Sequence, residues 1–153
     1  MTIAKGLALA VLAVGALFIG QKEARAQAAV PPLFSVMVGG NEVSAAGVAN
    51  VGDPDGHGSA TVKIRGTVLC FALIVDQIDA PTAAHIHRGP AGVNGGIVVP
   101  LIAPPSGSPG TSSRCIRGLD PALLTDIRTN AASYYVNIHT GAFPSGAIRG
   151  QLF

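Results

Sequence analysis

The sequence predicts an all-β domain, an antiparallel β-sandwich or Greek-key-like barrel of about seven to nine strands with one short helix between late strands. Three observations predict it. Twenty glycines and eleven prolines punctuate the 153-residue chain, and the apolar runs between them are short, as strands joined by turns require. Residues 59–65 alternate, with Ala60, Val62 and Ile64 on one face and Thr61, Lys63 and Arg65 on the other, the period of a half-buried strand. Only the stretch from Asp120 carries helix-start chemistry.

Residues 1–28 stand apart from this domain. Lys5 and the amino terminus give a weakly positive start, residues 6–20 are uncharged, and Ala24-Arg25-Ala26-Gln27-Ala28 offers small-x-small cleavage sites after Ala26 or Ala28. That is the plan of a secretory signal peptide. Its apolar run of about 15 residues falls short of the ~20 a spanning helix needs, so no stable membrane span is expected after cleavage, and the expected location is secreted or periplasmic. Lys5, Lys22 and Arg25 are three of the ten basic residues and Glu23 is one of the eight acidic ones. The remainder is therefore balanced and lacks the basic footprint of a nucleic-acid binder.

The domain itself spans residues 32–153. Residues 34–38 form the first expected strand, ended by Gly39-Gly40. Asn41-Glu42-Val43 then leads through small residues to a turn at Asp53-Pro54-Asp55-Gly56. Residues 59–65 and 68–75 make a hairpin around Gly66-Thr67, the second strand apolar on both faces. Strands follow at 83–87 and 96–102, with Gly89-Pro90-Ala91-Gly92 opening the loop between them, and residues 103–113 read as a Pro/Ser/Gly loop. Asp120 is the expected N-cap of the helix and Pro121 its first residue, while Leu123, Leu124 and Ile127 share one face. This crossover helix ends near Asn130, and residues 133–139 and 146–153 are the last strands.

Cys70 and Cys115 are the only cysteines, and export places them where a disulfide persists. The loop between them is long enough for the bridge to contribute about 4 kcal/mol by the chain-entropy estimate. Two isolated cysteines do not make a zinc site.

Histidine placement carries the functional signal. Ala84-His85-Ile86-His87-Arg88-Gly89 and Val136-Asn137-Ile138-His139-Thr140-Gly141 both lie in strand-like sequence. Alternation puts His85 and His87 on one face, and a neighbouring strand can bring His139 to them. Three imidazoles suit copper or zinc, with zinc–nitrogen distances of roughly 2.0–2.1 Å. His57, in Asp55-Gly56-His57-Gly58, is the candidate fourth ligand. The competing reading is structural: the histidines cap the core by hydrogen-bonding loop carbonyls.

Asp76 and Asp79 are either acceptors for these imidazoles or turn residues. Glu42 and Arg149 are expected to pair between the first and last strands, fixing register. Of the adjacent tyrosines, Tyr134 and Tyr135, one faces in and one out. No nucleophile elbow or phosphate-binding loop is present, so no catalytic residue is assigned.

The strings Gly40-Asn41-Glu42-Val43, Gly58-Ser59-Ala60-Thr61-Val62, Ala83-Ala84-His85-Ile86-His87, Tyr135-Val136-Asn137-Ile138-His139-Thr140 and Gly146-Ala147-Ile148-Arg149-Gly150-Gln151-Leu152 occur in this order. In these, from about residue 34 to 153, the chain resembles a CHRD domain, the module named after chordin and also found in many secreted bacterial proteins. It departs in having Ser44-Ala45 where prolines are common, and in its two cysteines. The resemblance by itself transfers no activity, and the leading expectation is an exported, non-enzymatic binding or envelope-associated module with an unidentified protein or glycan partner. The histidine cluster would then be a copper or zinc site within it.

The alternative is a mononuclear copper-binding redox protein. The His-x-His string followed by Gly89, with the late Gly-x-x-Arg-Gly around Arg149, is similar to copper/zinc superoxide dismutases. No histidine lies between His87 and His139, so that family's bridging and zinc ligands have no matching positions.

Overall fold

The structure, a computed structural model, describes residues 30–153, and the leader expected over residues 1–28 lies outside them. The strands are β1 (Leu33–Val38), β2 (His57–Arg65), β3 (Val68–Asp76), β4 (Pro81–Arg88), β5 (Ile97–Leu101), β6 (Gly110–Ile116), β7 (Tyr134–Thr140) and β8 (Ile148–Gln151). The helix α1 (Pro121–Thr129) joins β6 to β7. All eight strands form one sheet in the order β5-β4-β7-β8-β1-β2-β3-β6, and each neighbouring pair is antiparallel. The expected all-β architecture, with one helix between late strands, is what the chain forms.

The sheet curls into a half-barrel around its apolar face. Val62, Phe71, Leu73, Ile86, Val136, Ile138 and Ile148 meet there, and α1 adds Leu124 and Ile127. The alternation predicted for β2 holds, with Ala60, Val62 and Ile64 buried. The first strand also meets the last residue: Phe34 and Phe153 exchange backbone hydrogen bonds of 2.9 and 3.0 Å. The edge strands approach each other where the Ser112 hydroxyl donates to the Ile102 carbonyl at 2.6 Å.

The helix begins as its residues dictate. Asp120 accepts from the Ala122 amide at 2.9 Å, and Pro121 opens the first turn, where its missing N–H costs nothing. The Tyr134 hydroxyl donates to Asp126 at 2.6 Å, and Arg88 bridges to the same carboxylate at 3.0 Å. These contacts fix α1 against β4 and β7.

One expected loop is in part a strand. Residues 103–113 contain the start of β6, which pairs with β3 from Leu69↔Ile116 to Val75↔Gly110. Gly110-Thr111-Ser112-Ser113 has no apolar alternation, because an edge strand is held by backbone pairing and has little to bury. Within this pair Cys70 stands opposite Cys115, and the two form the expected disulfide.

Candidate metal centre

The opposite face of the sheet carries a polar layer. On β4 His85 and His87 point outward while Ala84 and Ile86 enter the core. On β7 Tyr135, Asn137 and His139 share that outward face, with His85 opposite Asn137 and His87 opposite Tyr135. Arg149 on β8 stands opposite both Asn137 and Val38. The loop between β4 and β5 covers part of this layer, so His87, Tyr135, Asn137 and Arg149 are buried although they face away from the core.

Three histidines converge. One ring nitrogen from each of His85, His87 and His139 lies within 4.8 Å of the others, and His85 Nδ1 is 3.1 Å from His139 Nε2. Two rings are oriented from behind by carbonyls: His87 Nδ1 is 2.9 Å from the Gly95 oxygen, and His139 Nδ1 is 3.0 Å from that of Pro144. A carbonyl only accepts, so both Nδ1 atoms carry a proton, and in the neutral ring Nε2 then presents the lone pair. His87 Nε2 is buried and without a partner.

Burial, then the neighbouring His139 and His87, lowers the pKa of His85. That of His87 is also lowered, by burial first, against the opposing Gly95 hydrogen bond. Neutral rings are the ligand-competent form.

His57 does not join them. It opens β2, paired with Val38 and Asp76, three strands from β7 and so about 14 Å across the sheet at ordinary strand spacing. Its Nδ1 faces the Asp55 carbonyl at 3.1 Å. Asp76, the last residue of β3, also lies apart from them, accepting from the Gln77 amide and the Ser108 hydroxyl.

Glu42 and Arg149 are both buried but do not meet at salt-bridge distance; among the described residues that contact is Arg88–Asp126. The Arg149 guanidinium instead donates to Asn94 Oδ1 (3.1 Å), Pro90 O (3.0 Å), Val93 O (2.7 Å) and Gln151 Oε1 (3.4 Å). It also lies 3.4 Å over the Tyr135 ring. Tyr135 is the outward one of the two adjacent tyrosines, yet it is 2 % exposed. His87 is stacked on it at 4.7 Å, and the Gly95 amide donates to its hydroxyl. The sequence reading missed Asn94 and Asn137. Asn137 was open to detection, because it shares a strand face with His139 at a spacing of two.

Glu42 is pushed up to about 7, chiefly by burial, with Arg149, Asn137 and the Val43 backbone pulling the other way. The folded chain therefore keeps a proton there that the unfolded chain releases above its ordinary value of 4.5. Folded-state proton binding exceeds unfolded-state binding from about pH 4.5 to about pH 7, so this residue's contribution to stability falls as pH rises through that window. Glu42→Gln is expected to remove that loss, on the order of 3 kcal/mol between about pH 4 and pH 8. Urea midpoints of both proteins across that range check it, and a variant with the wild-type pH slope would refute it.

Farther along the outer face, the layer turns apolar. Phe34, Val36, Ile74 and Phe153 are 45, 62, 55 and 67 % exposed.

A family model described as the CHRD domain matches residues 33–152. Neither the curated proteins nor the solved structures contain a match.

Proposed function

The chain belongs to the CHRD domain family, and since a family fold fixes no activity by itself, we propose from the site that it is an exported, non-enzymatic module that binds one zinc or copper ion at His85, His87 and His139. The observation that carries this is the trio itself, three imidazoles with ligand atoms within 4.8 Å. Two of the rings are locked by carbonyls behind them, as metal-ligating histidines characteristically are. Structural capping accounts for the carbonyl contacts but not for the unpartnered His87 Nε2. Export is supported by the disulfide, which an oxidising compartment preserves, and by the leader pattern. The outward Phe34, Val36 and Phe153, with the Phe34 and Phe153 rings 6.4 Å apart, support a partner-binding role, since exposed apolar surface favours association.

Elemental analysis of the protein recovered from the exported fraction tests the reading. About one zinc or copper per chain is expected, and none above background in a His85→Ala/His87→Ala variant. Equal, substoichiometric metal in both would overturn it. Bound metal is also expected to leave as pH falls and protons compete for the imidazoles.

A second reading, a copper redox centre, draws on the part-buried state of His85 and His139, which leaves a side of the trio open to small molecules. The arginine that the dismutase likeness would make substrate-steering is 1 % exposed and fully engaged by the loop, which weighs against that form of it. Reversible Cu(II)/Cu(I) cycling of the loaded protein would favour the redox reading, and a copper-loaded protein inert to ascorbate would dispose of it.

A further inference from the structure

The ion's fourth ligand and its class follow from two orphaned atoms, given the metal reading above. Among the described residues, the buried side-chain polar atoms without a hydrogen-bond partner are Ser35 Oγ, His87 Nε2 and Asn137 Oδ1. Two of these three belong to one place. Asn137 faces His85 directly across the β4–β7 ladder, and His87 is its diagonal neighbour, opposite Tyr135. His139 lies two residues farther along β7, on the same face. Asn137 is therefore ringed by all three histidines.

Its amide has a defined orientation. Nδ2 donates to Glu42 Oε1 at 3.4 Å, which turns Oδ1 away from Glu42. Glu42 is itself confined: a Cβ on Gly146 would lie within 2.6 Å of its carboxyl atoms, so the carboxyl group occupies space that only glycine leaves.

Both orphaned atoms offer lone pairs. His87 Nε2 accepts because Nδ1 holds the proton for Gly95, and an amide oxygen only accepts. While the His87 ring is neutral they cannot satisfy each other, and a buried acceptor left unpaired costs about 1–3 kcal/mol. A cation satisfies both together.

We propose that Asn137 Oδ1 is the fourth ligand of the ion held by His85, His87 and His139, so that the site takes Zn(II) or Cu(II) in a set of three nitrogens and one oxygen. Such a set suits these borderline divalent ions. Cu(I), which favours soft ligands, gains little from an amide oxygen. Glu42 then acts as a positioning residue that holds the amide the right way round.

The test uses the whole mature protein with Zn(II), Co(II) and Cu(I) as probes. Asn137→Leu is expected to weaken Zn(II) binding by about 10- to 100-fold or more and to change the visible absorption of bound Co(II). Asn137→Asp, which keeps an oxygen there, is expected to match or exceed wild-type Zn(II) affinity. Cu(I) affinity should move little, by less than about threefold, because the oxygen contributes little to a soft ion. If wild type takes one Zn(II) and Asn137→Leu equals it in affinity and Co(II) spectrum, the inference fails while the histidine site stands. If wild type takes no ion, both fail. Should Asn137→Leu not fold, a crystal structure of Zn(II)-loaded wild type decides. An amide oxygen at roughly 2.0–2.2 Å supports the assignment, and a water between Asn137 and the ion overturns it.

Discussion

Arg149→Met is expected to cost about 3–5 kcal/mol of folding stability, the range for removing one member of a buried charged network. Arg149 is 1 % exposed and holds the β4–β5 loop through Asn94, Pro90 and Val93. Methionine fills much of the same volume but leaves those acceptors unpaired. It also takes the cation from over Tyr135 and a favourable charge from Glu42. Since the same loop presents Gly95 to His87 and Tyr135, the histidine site should loosen along with the fold. Arg149→Lys is expected to recover only part of the loss, because a single ammonium cannot reproduce the planar fork. Urea unfolding measures both variants. A loss under about 1 kcal/mol for Arg149→Met would show that the loop is held by other means.

Removing the disulfide should be of similar size. Cys70→Ser/Cys115→Ser is expected to cost about 4 kcal/mol, from the loop entropy the bridge removes from the unfolded chain over a separation of 45 residues. The position sharpens the expectation. β6 is an edge strand with β3 as its one neighbour in the sheet, and its polar residues 110–113 contribute little burial. Without the cross-link its backbone pairing should fray first, seen as faster amide exchange in β6 than in β2. Urea midpoints with and without reductant check the energy. A wild-type midpoint unmoved by full reduction would contradict it.

The parts of this fold that the sequence made legible are those set by local rules. Alternation placed β2, and Asp120-Pro121 marked the start of α1. A spacing of two put His85 and His87 on one face whatever the rest of the chain did. Pairing of Cys70 with Cys115 followed from there being no other cysteine. What stayed hidden depends on contacts distant in sequence. β6 is polar because it lies at an edge, so periodicity could not reveal it. Tyr135 faces away from the core, as alternation required, and is buried only because a loop some 40 residues earlier folds over it. The same loop takes the Arg149 hydrogen bonds that a charge-pairing argument had assigned to Glu42. His57 failed as a ligand because strand order, which sequence does not disclose, sets β8 and β1 between it and β7.

The central claim is that His85, His87 and His139 form one metal site, and calorimetric titration of the metal-free mature protein with Zn(II) and Cu(II) tests it most directly. One equivalent should bind to wild type with release of protons, and the His85→Ala/His87→Ala variant, still folded by circular dichroism, should bind none. Wild type and variant titrating alike would contradict the claim and return the three imidazoles to architecture.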